Sequence, residues 1–276
     1  MGEQPGDAGT VYEVVMIGGG NMGEALLGGM LAAGRPAGEL AVVEVLAARR
    51  EVLADRYPGV AVLATMPLCR AAVIAVKPHD VASAIGAAVA AGATRLLSIA
   101  AGVTLAAMEA AAGPGVALVR SMPNTPALVR AGAAGIAGGT EATDADLDWA
   151  ESVLGSVGIV VRVPESLLDA VTGLAGSGPA YLMLVTEALI EGGVLVGLPR
   201  PTARALATQL LAGSGRLLAE TGELPEVLRA NVTSPGGTTA AGLYALERNG
   251  VRAAVMEAVI SATQRGRELG KPHPAD

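Results

Sequence analysis

Short apolar runs alternate with helical segments throughout the first 163 residues, and this alternation constrains the fold more than any other feature of the chain. The run 71–76 is apolar at every position, as expected for a parallel strand that is buried on both faces. The predicted strands are 11–17, 40–45, 60–63, 71–76, 95–99, 116–120, 132–137 and 159–163. The predicted helices are 22–33, 47–57, 80–90, 105–111 and 144–154. Repeated strand–helix units predict an α/β fold with a doubly wound, mostly parallel sheet of the Rossmann type.

The pattern changes after Pro164, beyond which only helical periodicity remains. Turn residues interrupt this periodicity at 178–179, 197–199 and 234–237. The loss of strands predicts a dinucleotide-binding domain over residues 1–163 and an all-helical domain over residues 164–276. Residues 271–276 are expected to form a loose tail.

Composition and charge narrow the class of protein. Hydrophobic residues make up 51% of the 276 residues and charged residues 16%, which is typical of a globular chain rather than a disordered one. The net charge of −7 disfavours nucleic acid or an anionic membrane as a partner, and every long apolar run contains Gly, Pro or a charge. The single cysteine, Cys69, cannot form an internal disulfide, and the polar segment 1–10 is unlike a signal peptide. We therefore expect a cytoplasmic protein without a membrane segment.

The first predicted strand runs directly into a GxGxxG motif at 18–23. In a strand–turn–helix unit the first glycine allows the tight turn, the second lets a pyrophosphate approach the backbone, and the third lets helix and strand pack closely. The free N–H groups and positive dipole end of the next helix favour phosphate binding. The alternative is a glycine-rich turn in a glycine-rich chain. The cofactor contacts predicted here are Gly18, Gly20, Asn21, Met22 and Gly23.

The end of the second predicted strand leaves the choice of cofactor open. Glu44 lies where a carboxylate accepts a hydrogen bond from the ribose 2′-hydroxyl of NAD. Arg49 and Arg50 follow closely and are able to neutralise the 2′-phosphate of NADP. The alternative for all three residues is an exposed helix start with a glutamate near its N-terminus.

The fourth predicted strand ends in Val76, Lys77 and Pro78, at the carboxyl edge where such sheets bind ligands. Lys77 and Lys271 are the only lysines in a chain that otherwise uses arginine. This is compatible with a specific role for Lys77 and equally with a solvated surface cation.

A polar loop at 231–239 joins two predicted helices and combines hydroxyl groups, two glycines and a new helix start. Consecutive N–H groups in such a turn form an anion-binding nest, which suits a substrate carboxylate. Thr239 would add a hydroxyl to such a site. The alternative is a helix N-cap that follows a Pro–Gly turn.

Six segments together resemble the pyrroline-5-carboxylate reductase family, in the same order and over nearly the whole chain. RSMPNTPA, GSGPAYL and TSPGGTT are far more specific to that family than the glycine motif. The matching segments are IGGGNMGEAL at 17–26, AVKP at 75–78, RSMPNTPA at 120–127, DAVTGLAGSGPAYL at 169–182, GLPR at 197–200 and VTSPGGTT at 232–239.

The resemblance implies that NADP or NAD, with NADPH slightly favoured, transfers hydride to the C=N carbon of 1-pyrroline-5-carboxylate and gives L-proline without a metal. It places the substrate carboxylate on Ser234, Gly236, Gly237 and Thr238, and the hydroxyl of Thr239 opposite the ring nitrogen as the catalytic group. It also implies a homodimer formed through the helical domains, with a larger ring such as a decamer as a further possibility. The nicotinamide contacts that it implies are Val76, Lys77, Pro78, Ala100, Gly102 and Asn124.

The lack of an obvious acid–base group fits reduction of an imine. The two histidines, His79 and His273, lie outside the substrate loop, and a protonated imine needs no further proton when it accepts hydride. A β-hydroxyacid dehydrogenase uses a lysine from its helical domain, whereas Lys271 in the tail is the only lysine after Lys77. A non-catalytic NADP-sensing oligomer is the other alternative, and the intact TSPGGTT loop disfavours it.

Overall fold

The computed structural model describes residues 9–270 of the chain. Its strands are β1 Tyr12–Ile17, β2 Leu40–Val43, β3 Ala61–Leu63, β4 Cys69–Ile74, β5 Arg95–Ser98, β6 Ala117–Met122, β7 Gly132–Gly138 and β8 Gly158–Arg162. Its helices are α1 Asn21–Ala32, α2 Ala47–Arg56, α3 Val81–Ala90, α4 Leu105–Ala112, α5 Asp144–Gly155, α6 Leu168–Val171, α7 Gly178–Leu195, α8 Arg200–Thr221, α9 Pro225–Asn231, α10 Thr238–Arg248 and α11 Val251–Leu269.

The eight strands form one sheet in the order β3-β2-β1-β4-β5-β6-β7-β8. Neighbouring strands are parallel except β6 and β7, which pair antiparallel. This confirms the predicted doubly wound, mostly parallel sheet. All eight predicted strands and all five helices between them are present.

The sheet is buried on both faces because its inner strands are apolar at nearly every position. On β1, Val15 faces a core cluster that includes Ile85 of α3 and Met108 of α4. Met16 faces the opposite cluster, which includes Leu26 of α1 and residues of α2 and α5. Successive side chains of one strand thus pack against helices on opposite faces of the sheet. This two-sided packing explains why the run near 71–76 shows no polar–apolar alternation.

From Pro164 to residue 270 the regular structure is helical, with no strand, as predicted. The tail expected at 271–276 lies outside the described residues. The helix ends at 195–200 and 231–238 confirm the interruptions expected at 197–199 and 234–237. Two further interruptions were not predicted, at Gly222 and Gly250, where φ is +65° and +70°. Both glycines follow the end of a helix, where a left-handed residue is common.

The expected interruption at 178–179 is milder than predicted. A π-helical turn at Thr172–Gly176 connects α6 to α7, and Pro179 lies in the first turn of α7, where proline is compatible with a helix. As a result Glu165–Leu195 is long and apolar enough to cross a membrane by length and composition alone. Only 11% of its most apolar window is buried. One such helix is weak evidence for a membrane span, because apolar core or interface helices of soluble proteins share these properties. The expectation that the chain has no membrane segment stays a prediction.

Backbone contacts group the chain into two compact units. Of the described residues, the first contains 9–177 and 261–270, and the second is Gly178–Ile260. The boundary at 163/164 therefore stays a prediction about domain organisation. The segments predicted to bind the cofactor lie in the first unit, and the predicted substrate loop at 231–239 lies in the second.

Candidate cofactor and substrate sites

The segments predicted to bind the cofactor lie at the carboxyl ends of the parallel strands, around the point between β1 and β4 where the strand order reverses. Ligands of open α/β sheets bind in the crevice at the carboxyl ends of strands beside such a reversal. The glycine turn follows β1, Glu44 follows β2, and residues 76–78 follow β4. Residues 100–102 follow β5, and Asn124 follows β6.

The glycines of the turn have different structural roles. Gly18 has a φ of +102°, and a Cβ there would lie 2.5 Å from the carbonyl oxygen of Ala75. A Cβ on Gly23 would lie 2.2 Å from the carbonyl oxygen of Gly18. A Cβ on Gly20, by contrast, would meet nothing within 4 Å. The fold thus requires Gly18 and Gly23, whereas the open space at Gly20 fits a pyrophosphate that approaches the backbone.

The first turn of α1 presents its N–H groups next to this space. Its N-cap residue is Gly20, and no side chain caps the turn. The first N–H groups of a helix have no partner within the helix, and the dipole makes that end attractive to phosphate. Asn21 and Met22, both predicted contacts, are the first two residues of α1.

Glu44 is buried and binds backbone rather than pointing into solvent. One carboxylate oxygen accepts a hydrogen bond from the N–H of Gly19 at 3.0 Å, and the other accepts one from the N–H of Leu46 at 2.9 Å. Only 9% of the residue is exposed. The carboxylate therefore holds the glycine turn against the β2–α2 connection, and its predicted contact with a ribose hydroxyl stays a prediction.

Arg49 also binds the protein. Its guanidinium donates to the carbonyl oxygen of Gly19 at 2.7 Å and forms an ion pair with Glu24 of α1. Arg56 forms a second ion pair with Glu24. Burial raises the pKa of Glu24, but the hydrogen bonds from Arg49 and Arg56 outweigh this and hold that pKa below its ordinary value of 4.5. These contacts join α1 to α2 beneath the glycine turn.

Two buried serines support the loop at 100–102. Ser121 of β6 donates its hydroxyl to the carbonyl oxygen of Ser98 at 2.9 Å, and the Ser98 hydroxyl accepts from the N–H of Ala100 at 3.3 Å. Gly102 has a φ of +78°, which favours glycine. Neither serine is among the residues predicted from the sequence, although each is a polar residue next to an apolar run.

Asn124 connects three segments of the first unit. Its amide donates to the carbonyl oxygen of Ala175 in the π-helical turn at 3.0 Å, and its side-chain oxygen accepts from the N–H of Ala133 at 2.8 Å. A cofactor contact by Asn124 stays a prediction. Lys77 and Pro78 are exposed at the same edge of the sheet, and Val76 is partly buried.

The predicted substrate loop, residues 231–239 of the second unit, is a largely exposed turn that leads into α10. Gly236 has a φ of +69°, and the N–H of Gly237 donates to the carbonyl oxygen of Ser234 at 3.0 Å. Gly237 is the N-cap of α10, and no side chain caps the first turn, which contains Thr238 and Thr239. The predicted alternative, capping by a Ser or Thr side chain, is therefore absent from this helix start.

No group of three His, Cys, Asp or Glu side chains within residues 9–270 is arranged to hold a metal ion.

Comparison with known proteins identifies the family. Residues 165–269 match the family model described as pyrroline-5-carboxylate reductase dimerisation, and residues 13–102 match the model described as NADP oxidoreductase coenzyme F420-dependent. The pyrroline-5-carboxylate reductase of Mycobacterium leprae is 42% identical over 94% of this chain and 97% of its own length. This chain belongs to the pyrroline-5-carboxylate reductase family. The same enzyme of Synechocystis sp. is 44% identical over 93% of this chain and 97% of its own length.

Solved structures of the family have the same fold. The pyrroline-5-carboxylate reductase of Coxiella burnetii is 32% identical, with a TM-score of 0.89 over 95% of this chain and 100% of that protein. The Plasmodium falciparum pyrroline carboxylate reductase, solved with NADP bound, is 28% identical, with a TM-score of 0.80 over 94% of this chain and 98% of that protein. The resemblance noted in the sequence is thus confirmed over nearly the whole chain.

Proposed function

We propose that this protein reduces the C=N bond of 1-pyrroline-5-carboxylate to give L-proline, the last step of proline biosynthesis. NADPH or NADH, when bound, supplies the hydride. This chain belongs to the family. The observation that carries the proposal is its TSPGGTT loop, which leads into α10 and leaves the first turn of that helix without a side-chain cap. Its free N–H groups and the helix dipole suit the carboxylate of the substrate. We assign the carboxylate to Ser234, Gly236, Gly237 and Thr238.

The reaction needs no strong acid from the protein, because the nitrogen of a protonated imine becomes a neutral amine when it accepts hydride. Thr239, the second residue of α10, is proposed to hydrogen-bond that nitrogen and orient the ring. His79 is exposed and lies 3.2 Å from Asp80 at the cofactor edge of the sheet, outside the substrate loop. Catalysis then depends mainly on orientation, which supplies roughly 7–11 kcal/mol in favourable cases.

The cofactor proposal is NADP or NAD, with NADPH favoured. The Plasmodium relative was solved with NADP bound, which supports NADPH. The proposed direct contacts are the glycine turn, residues 76–78, Ala100, Gly102 and Asn124. For Glu44 and Arg49 we propose an indirect role, because both side chains hold the glycine turn. We also propose that the dinucleotide-binding domain ends at 163 and the dimerisation domain begins at 164, which agrees with the family match from 165 onwards.

We propose a homodimer formed through the helical region, from which a decamer or another ring would be built. The second unit exposes an apolar groove between α7 and α8, and the family model for this region is named for dimerisation. Partner helices would cover the poorly buried α7, which accounts for its apolar surface without a membrane. The net charge of −7 disfavours nucleic acid as a partner. We therefore propose a cytoplasmic protein. The groove is lined by Leu189, Gly193, Leu198, Ala203, Leu206, Ala207 and Leu210.

The test is oxidation of NADPH and of NADH by the purified protein with 1-pyrroline-5-carboxylate, with proline identified as the product. A panel of β-hydroxyacids with NADP or NAD is the control. Cofactor oxidation coupled to proline formation supports the proposal. Turnover of a hydroxyacid but not of the imine would make the protein a β-hydroxyacid dehydrogenase, and binding without turnover would make it a sensor.

A further inference from the structure

Three arginines follow β2, and among the described residues Arg50 is the one of the three that forms no ion pair with a carboxylate. Arg49 and Arg56 both form ion pairs with Glu24. Arg50 donates one guanidinium nitrogen to the carbonyl oxygens of Glu44 and Val45, at 2.9 and 3.0 Å. Within the described part of the chain no carboxylate lies within ion-pair distance of Arg50. The remaining N–H groups of a guanidinium held in this way are free to bind an anion.

The position of Arg50 matches the ribose end of a dinucleotide. The two carbonyls that hold it follow directly after β2, where this fold places the adenosine ribose. Val45 and Leu46 are 80% and 65% exposed in the same connection, so apolar surface lies beside the cation. Such a combination suits an adenosine that carries a phosphate.

The carboxylate of Glu44 is not free to repel a 2′-phosphate bound after β2. An acidic residue after the second strand favours NAD because its free carboxylate accepts from the 2′-hydroxyl and repels a 2′-phosphate. Here both carboxylate oxygens already accept backbone hydrogen bonds, from Gly19 and Leu46. The side chain is therefore turned under the glycine turn.

We propose that Arg50, rather than Arg49, binds the 2′-phosphate of NADPH and selects it over NADH, while Glu44 is a positioning residue that holds the glycine turn. This inference rests on the proposed use of a nicotinamide dinucleotide. It deepens that proposal by assigning the selectivity to one side chain.

The decisive experiment measures binding of adenosine 2′,5′-bisphosphate and of AMP by calorimetry, without substrate. Arg50→Gln is expected to weaken the bisphosphate by about 10- to 150-fold, the loss of one hydrogen bond between charged groups, and to leave AMP nearly unchanged. Arg56→Gln removes the same charge nearby and is expected to leave the ratio of the two affinities unchanged. Equal weakening of both ligands by Arg50→Gln, or no weakening of either, would overturn the assignment.

Two further variants separate the roles of Arg50 and Glu44. Arg50→Lys keeps the charge and is expected to retain part of the preference for the bisphosphate, even if Arg50→Gln folds poorly. Glu44→Gln is expected to weaken both ligands by the same factor, since one of its two backbone hydrogen bonds is lost. Selective weakening of AMP by Glu44→Gln would instead make Glu44 a ribose ligand. Because these measurements use no imine, they remain decisive even if the protein does not reduce pyrroline-5-carboxylate.

Discussion

The guanidinium of Arg120 lies 2.8 Å from the carboxylate of Glu165, and the same carboxylate oxygen accepts a hydrogen bond from the N–H of Leu105 at 2.6 Å. Arg120 is buried on β6, and Leu105 is the first residue of α4. One carboxylate thus joins the centre of the sheet to the helix that follows the loop at 100–102. Arg120 is the first residue of the RSMPNTPA motif, but neither Arg120 nor Glu165 is among the predicted ligand contacts.

Removal of the Arg120 guanidinium is expected to destabilise the protein. Arg120→Gln leaves Glu165 without its charged partner, and a hydrogen bond between charged groups is worth about 1.5–3 kcal/mol. Glu165 is partly exposed, so water will recover some of this energy. Urea denaturation of the variant should show an earlier midpoint with an unchanged slope. The control, Glu165→Gln, keeps an oxygen for Leu105 and should lose less; equal midpoints for Arg120→Gln and wild type would contradict this account.

Gly20 and Gly18 of the glycine turn should respond differently to alanine, because only Gly20 has open space for a Cβ. Gly20→Ala is expected to unfold at the wild-type temperature, because a Cβ there meets no atom within 4 Å, but to bind NADPH about tenfold more weakly or worse. Gly18→Ala should lower the unfolding temperature, because its φ is +102° and its Cβ would meet the Ala75 carbonyl. Thermal unfolding and calorimetry with NADPH check both. Normal NADPH affinity in Gly20→Ala would remove the pyrophosphate from this turn.

The sequence predicted the sheet well because its signal is local. A fully apolar run such as 71–76 is expected only where both faces are covered, and the GxGxxG motif fixes where β1 ends. The contacts of Glu44 were not predictable, because they depend on which N–H groups its carboxylate meets after the glycine turn and α2 have formed. The same holds for Ser98 and Ser121, whose strands are adjacent in the sheet but separated in sequence.

The stability contributed by Glu24 should depend on pH. The pKa of Glu24 in the folded protein is held below 4.5, so its contribution is fully present above 4.5 and is lost as the pH falls through the folded value. The difference in unfolding free energy between wild type and Glu24→Gln should therefore be largest near neutral pH and shrink in acid. Glu13→Gln is the control, because Glu13 forms an exposed pair with Arg70 and should change stability by less than about 0.5 kcal/mol. If the difference in unfolding free energy between wild type and Glu24→Gln grew in acid instead, the prediction would be wrong.

Thr239→Ala should lower turnover while NADPH binding survives. The imine nitrogen is protonated, and the loss of a hydrogen bond to a charged group costs about 1.5–3 kcal/mol, or roughly 10- to 150-fold in turnover. Thr233→Ala is the matched control in the same loop, because the Thr233 hydroxyl donates to the backbone carbonyl of Arg229 at 2.6 Å. Steady-state rates with pyrroline-5-carboxylate, together with calorimetry for NADPH, check the prediction. Wild-type kcat in Thr239→Ala would exclude Thr239 from the reaction.

The apolar groove of the helical region gives a prediction about assembly. Leu210 of α8 lines this groove and is 55% exposed, so Leu210→Arg should fold normally but place a charge where a second copy is proposed to pack. Central apolar interface residues contribute about 2 kcal/mol or more, so the dimer dissociation constant should rise roughly 30-fold or more. Gln209→Arg, the adjacent exposed residue outside the groove lining, adds the same charge and should leave assembly unchanged. Sedimentation velocity over a range of concentrations distinguishes the two; an unchanged dimer in Leu210→Arg would place the subunit interface elsewhere.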